Sequence, residues 1–165
     1  FREQQDGAYV LFTSTSGIIG NIGQANYAAA KMGVAGLSRI IAMEGAQKNV
    51  RSNIIAPFAW SRMIATIPIK DEASAKRVQR MKDHMRADQV AQLAIALCAT
   101  KDVTGQIFVA RGNEIFLMSQ PRPLRGMAKI EGWTPETICN HAFPAMKSMM
   151  YDAGPTTSVF GWDPI

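Results

Sequence analysis

Three side chains invite a chemical reading before any other. Ser14 stands at the end of an apolar run, Tyr27 follows thirteen residues later, and Lys31 lies four residues beyond the tyrosine. Positions i and i+4 of an α-helix share one face, one turn apart, so a phenol and an ammonium are brought side by side. A phenol transfers a proton readily when a cation within reach favours its phenolate. A serine hydroxyl nearby can hydrogen-bond the oxygen at which that proton arrives or departs. The set suits general acid–base chemistry. Taken singly, each member also has an ordinary structural reading: the Tyr/Lys pair as helix surface, Ser14 as a strand-end turn.

The surrounding sequence supplies elements that position this set. "AYVLFTS" (Ala8 to Ser14) is a short, β-branched and aromatic run that reads as a buried strand. "TSGIIGNIGQ" reads as a glycine-rich polar loop. A long helix is predicted from about Ala25 to about Lys48. Within it, Ala30, Val34, Leu37 and Ile41 form an apolar stripe, and Ala29, Gly33 and Gly36 form a second stripe of very small residues. "VRSNIIAPF" is the next strand, ended by Pro57. "DEASAKRVQRMKDHM" reads as a charged, exposed helix and "ADQVAQLAIALCAT" as a more buried one. "GQIFVARGNEIFLMS" gives one or two strands about a turn at Gly112 and Asn113. In the proline-rich remainder, Thr134 is the expected N-cap of a short helix with Pro135 at its first position, and the last dozen residues read as an irregular tail. Strand alternating with helix indicates a parallel sheet with crossover helices, and ligands of such sheets bind beyond the carboxyl ends of the strands. Three strands amount to about half of a doubly wound domain.

Composition narrows the possibilities. The chain has 165 residues, 47% of them apolar, and a net charge of +5. That describes a globular chain. No run approaches the roughly 18 apolar residues of a membrane helix, and no secretory signal is recognised. Positive charge clusters from Lys70 to Arg86 and from Arg122 to Lys129, with no nucleic-acid motif, so neither membrane nor nucleic acid is an expected partner. Cys98 and Cys139 show no pairing or metal spacing, and His84 and His141 are isolated. Reduced thiols, no metal and a cytoplasmic location are therefore expected.

"FTSTSG", "NIGQANYAAAK" and "RSNIIAPF", in that order and spacing, resemble the catalytic half of the short-chain dehydrogenase/reductase family. The resemblance covers roughly Asp6 to Gly112. With "APFAWSRM" it is most similar to the (3R)-hydroxyacyl-CoA dehydrogenase domains of peroxisomal-type multifunctional enzymes and their bacterial relatives. It departs from the common pattern in carrying Phe58 where a glycine is usual, and Arg62 where a threonine is usual.

The resemblance implies an α/β fold, the C-terminal part of a doubly wound parallel-sheet Rossmann-type domain. It implies an NAD- or NADP-dependent oxidoreductase that interconverts a secondary alcohol and a ketone, on a 3-hydroxyacyl-CoA or a steroid-type substrate. Tyr27 would be the general acid/base, Lys31 would favour its phenolate and hold the nicotinamide ribose, and Ser14 would fix the substrate oxygen. Pro57 and the backbone at Trp60 would lie against the nicotinamide. Ser16 and Phe58 are further candidates for substrate contact, although Phe58 and Trp60 read equally as loop-packing aromatics. Gly17, Gly20 and Gly23 follow the catalytic strand and are not the family's phosphate loop. The chain starts at Phe1, and the nucleotide-binding half is expected upstream of it. The helix over Asp71 to Met85 would occupy the place of the family's substrate lid. Its basic residues suit a phosphate-bearing substrate or simply a solvated face.

Two divisions are expected: 1–119 as the catalytic half and 120–165 as a C-terminal extension. The small-residue stripe of the Ala25–Lys48 helix, together with the family's habit of pairing this helix, implies a homo-oligomer built across it. The alternative is a non-catalytic, half-site subunit that packs on a partner chain.

Overall fold

The computed structural model describes residues 1–62, 64–66 and 68–165, so Met63, the last residue of "APFAWSRM", lies outside the described residues. One sheet organises the chain. Strands β1 (Gly7–Phe12), β2 (Val50–Phe58), β3 (Ile107–Arg111) and β4 (Glu114–Leu117) are ordered β1-β2-β3-β4. The first three are mutually parallel, and β4 returns antiparallel across the two-residue turn Gly112–Asn113. Strand β2 is central and buried from Val50 to Ala56, as expected of a strand covered on both faces.

The period-two alternation of β2 and β3 divides the core. Ile55 and Ala110 pack with Val90, Leu93 and Leu97 of helix α4 (Ala87–Ala99) on one face. Ile54 and Ile107 pack with Ala35 of helix α2 (Ala25–Gly45) on the other. Pro57 is tolerated inside β2 because of register. Ile54 N–H donates to Gln106 of the β3 side, and Ile55 O accepts from Thr13 of the β1 side. The nitrogen of residue 57 therefore faces the β1 side, beyond the last paired residue, Phe12 opposite Ile55.

Two expectations are corrected here. The loop after β1 opens with a helical turn, α1 (Thr15–Ile18), which Ser14 caps. The inward face of α2 is Ala35, Ser38, Ala42 and Gly45. The stripe predicted at Ala30, Val34, Leu37 and Ile41 is rotated from that face, and Leu37 is 56% exposed. Close approach is the reason. Ser38 and Ser52 share a buried hydroxyl–hydroxyl hydrogen bond of 2.7 Å, which only small neighbours on the helix permit.

Helix α3 (Glu72–His84) buries none of its residues and is capped by Asp71. The chain forms two compact units, residues 1–119 with 154–165, and residues 120–153. In the second, Thr134 caps α5 (Pro135–Thr137) with Pro135 in its first turn. A π-turn over Ile138–Ala142 leads into α6 (Phe143–Met146), and Arg125 donates to Ala145 O. The final stretch is no loose tail. It carries one helical turn, α7 (Thr156–Val159), whose Thr156 is buried, and it belongs to the first unit.

Candidate active site

The end of β1 positions the candidate site. The backbone leaves Phe12 and turns at Thr13, whose Oγ1 donates to Lys31 O at 2.6 Å. Lys31 Nζ donates back to Phe12 O at 3.2 Å. Helix α2 is thus latched to the strand end by both main chain and side chain of one residue. The same ammonium lies 5.8 Å from the centroid of the Tyr27 ring. Among the described residues nothing hydrogen-bonds the phenol hydroxyl, and Tyr27 is 43% exposed. A phenol open to a ligand beside a held cation is an arrangement fit for proton transfer.

Ser14 is half-buried at the same strand end, its Oγ accepting from Ser16 N at 3.2 Å. A hydroxyl that accepts there still has its own proton to donate. Ser16 is buried, and its hydroxyl accepts from Asn21 Nδ2 at 2.8 Å, which braces the loop from within. Gly17 permits this packing. A Cβ there would stand 3.0 Å from Lys31 Cβ and 3.2 Å from Ala28 O. That contact gives Gly17 a structural use between α1 and α2.

Pro57 and Phe58 end β2 on the same carboxyl edge of the sheet, two strand ends being adjacent there. Trp60 N donates to Met85 O at 2.6 Å, tying the loop after β2 to the end of α3. The Phe58 ring packs edge-on against Phe160 at 5.4 Å. Ser14, Tyr27 and Lys31 therefore gather at the β1 end, and Pro57, Phe58 and Trp60 at the neighbouring β2 end.

Sequence reasoning missed the third strand end. Arg111 closes β3 and is only 2% exposed. It forms a two-pronged pair with Glu114, at 2.7 and 3.1 Å, and donates to Trp162 O. Its guanidinium stands 4.7 Å from the Trp162 ring centroid and 5.6 Å from that of Phe160. Trp162 Nε1 donates to Glu114 Oε1 at 2.7 Å. Burial works to raise the Glu114 carboxyl, but the hydrogen bonds from Arg111 and Trp162 outweigh it and hold the group below its ordinary value. The available signal was an arginine ending an apolar strand with a glutamate three residues on. Nothing local announced Trp162. Thr13 gave no signal beside Ser14 either.

Among the described residues no helix is long and apolar enough to cross a membrane, and no group of three or more candidate ligands could hold a metal ion.

Residues 1–112 match the family model described as enoyl-(acyl carrier protein) reductase. The chain belongs to the short-chain dehydrogenase/reductase family. It is 40% identical over 120 residues to the peroxisomal hydratase-dehydrogenase-epimerase of Saccharomyces cerevisiae, covering 68% of this chain and 12% of that protein. It is 37% identical over 115 residues to a putative short-chain type dehydrogenase/reductase of Mycobacterium tuberculosis, covering 70% of this chain and 37% of that one. A solved short chain dehydrogenase from Mycobacterium avium superposes with a TM-score of 0.70 at 28% identity, over 91% of this chain and 48% of that chain. The chain thus spans well under half the length of these curated relatives and about half of the solved one.

Proposed function

We propose that this chain carries the catalytic part of an NAD- or NADP-dependent oxidoreductase that interconverts a secondary alcohol and a ketone, with a 3-hydroxyacyl-CoA as the favoured substrate. A steroid-type alcohol is the second candidate within the same chemistry. The observation that supports it most directly is the double latch of Lys31 to the end of β1, which fixes its ammonium beside the open Tyr27 phenol.

The donor set suits the nicotinamide end of a dinucleotide. Lys31 offers an ammonium to ribose hydroxyls, and the backbone at Pro57 and Trp60 offers a wall for the ring. No comparable seat for the pyrophosphate is offered by Gly17, which is taken up by the contact of α1 with α2. When bound, the nicotinamide supplies or accepts the hydride. The chain's own residues manage the oxygen. Ser14 donates a hydrogen bond to the substrate oxygen and fixes its direction. Tyr27 takes the proton from the alcohol oxygen during oxidation and returns one during reduction. Lys31 favours the phenolate that this exchange requires. Helix α2, at its exposed face, is the proposed surface for a second copy of the chain.

The test is nicotinamide-dependent turnover of a substrate panel by the purified protein: (3R)- and (3S)-hydroxyacyl-CoA, a hydroxysteroid and a simple secondary alcohol, each with NAD and with NADP. Ketone formation from a (3R)-hydroxyacyl-CoA is expected. Binding of both cofactor and acyl-CoA without turnover of any alcohol would overturn the reading.

A further inference from the structure

The carboxyl edge of the sheet holds a cavity that the proton-transfer groups do not use. Its volume is about 300 Å³, and its lining includes Phe58, Arg77, Arg80, Met81, Phe160 and Trp162. We propose that this cavity holds the phosphate-bearing end of the substrate's carrier arm, with Arg77 as the cation that binds it. The inference rests on the dehydrogenase reading and names the part of the substrate that lies away from the reacting carbon.

Position is the first support. Phe58 ends β2 and Arg111, which also lines the cavity, ends β3. Both therefore open onto the same edge as Ser14, which follows β1. The C-terminal strap runs along that edge. It begins at Thr156, whose N and Oγ1 both donate to Gly20 O in the loop after α1. It ends at Ile165, whose O accepts from Asn113 N at 2.7 Å. A ligand reaching from the β1 end toward β3 would pass beneath this strap and meet the cavity.

Charge is the second support. Arg111 is matched by Glu114. Arg80 pairs with Asp163 of the strap at 3.2 Å. Arg77 has no carboxylate partner among the described residues. One positive charge is left over at the rim of a cavity whose walls combine the paired Arg80, Arg111 and Asp163 with Phe58, Phe160 and Trp162. A guanidinium offers a planar fork that fits phosphate oxygens, and aromatic walls suit a flat or narrow organic arm. About 300 Å³ is at the lower limit of a small-molecule site, enough for one moiety of a large substrate and not for the whole.

The family model matches residues 1–112, whereas Phe160, Trp162 and Asp163, which line the wall opposite α3, come from beyond that range.

The experiment is direct binding of coenzyme A to the protein by calorimetry, for wild type, Arg77→Gln and Arg77→Lys. Arg77 is exposed, so unchanged thermal midpoints are expected and serve as the fold control. Saturable binding should weaken about tenfold in Arg77→Gln, the size of one lost charge-assisted hydrogen bond, and less in Arg77→Lys. A thioester of the same acyl group on N-acetylcysteamine, which carries no phosphate, should be processed equally by wild type and Arg77→Gln. Coenzyme A binding that is absent, or equal in wild type and Arg77→Gln, overturns the proposal. Because coenzyme A binding is read without nicotinamide or turnover, that arm is separable from the dehydrogenase reading. Arg77-dependent binding in a protein that oxidises no alcohol would leave the cavity assignment standing alone. Alcohol turnover with Arg77-independent affinity for coenzyme A would remove the cavity assignment and keep the enzyme.

Discussion

At Arg111 the fold buries a guanidinium almost completely and matches it with one carboxylate, one backbone carbonyl and the faces of Phe116, Phe160 and Trp162. Removing one partner from a buried pair leaves an uncompensated charge, which costs about 3–5 kcal/mol. Glu114→Gln keeps the shape and deletes the charge, so its urea midpoint at neutral pH should fall, with the unfolding free energy extrapolated from the same curve lower by an amount of that order. The pH dependence has a definite sign. The folded Glu114 carboxyl lies below its ordinary value, so its contribution is fully present above the unfolded value and fades as pH drops toward the folded one. Wild type should lose this part of its stability on the acid side, while Glu114→Gln, lacking the titrating group, should not. Equal midpoints for the two proteins at neutral pH would show that the pair is not needed. Gly112 makes the adjoining turn possible at φ +58°, where a Cβ would stand 2.5 Å from Ile165 O.

Among the elements, α2 carries the most consequence. Its sheet-facing side is small, and its outer side presents Met32, Leu37, Ile40 and Met43 at exposures of 47%, 56%, 48% and 67%. Gly33 and Gly36 have open space where a Cβ would stand. A two-fold interface puts the same patch on both subunits, and small residues let two such helices approach closely. Replacing Gly36 with Leu should shift the protein toward monomer through overpacking, with helical content unchanged. Size-exclusion chromatography with light scattering reads the result. A variant that stays fully oligomeric, or a wild type monomeric at tens of micromolar, would remove α2 from the interface. Much of this element level was legible in the sequence. Strand β2 runs from Val50 to Phe58, the stretch read from its apolar run and its proline. Helices α3 and α4 fall where the charge run and the apolar period put them, and Thr134 caps where predicted. The inward face of α2 is not legible from bulk, because close packing selects Ala, Ser and Gly there in place of large apolar side chains. Ser38 facing Ser52, fourteen residues away, has no local signature. Strand β4 was readable only as an alternative, since its direction depends on the turn at Gly112. The strap's return to Gly20, 136 residues distant, lay beyond any local pattern.

Across the whole first unit, the carboxyl edge of the sheet collects what the chain can use chemically. Ser14 with the Tyr27–Lys31 pair stands at the end of β1, Pro57 and Phe58 at the end of β2, and Arg111 under the strap at the end of β3. Parallel strands explain why: three consecutive strands ending on one side deliver three sets of loops to one place. The proposed division of labour puts proton transfer at β1, the nicotinamide wall at β2 and the carrier arm between α3 and the strap. The family resemblance carried by the motifs implies the first two. The third depends on a tail whose course is set by distant contacts, Thr156 with Gly20 and Ile165 with Asn113, which no local pattern announces. All of it depends on Tyr27 handling the proton, and one comparison tests that most directly: nicotinamide-dependent turnover of Tyr27→Phe against wild type in an active form of the protein, with cofactor affinity measured alongside. Turnover should fall by about 10² or more while affinity for the cofactor stays nearly unchanged, because the phenol hydroxyl acts in the chemical step. A variant that kept more than about a tenth of wild-type turnover would contradict the account.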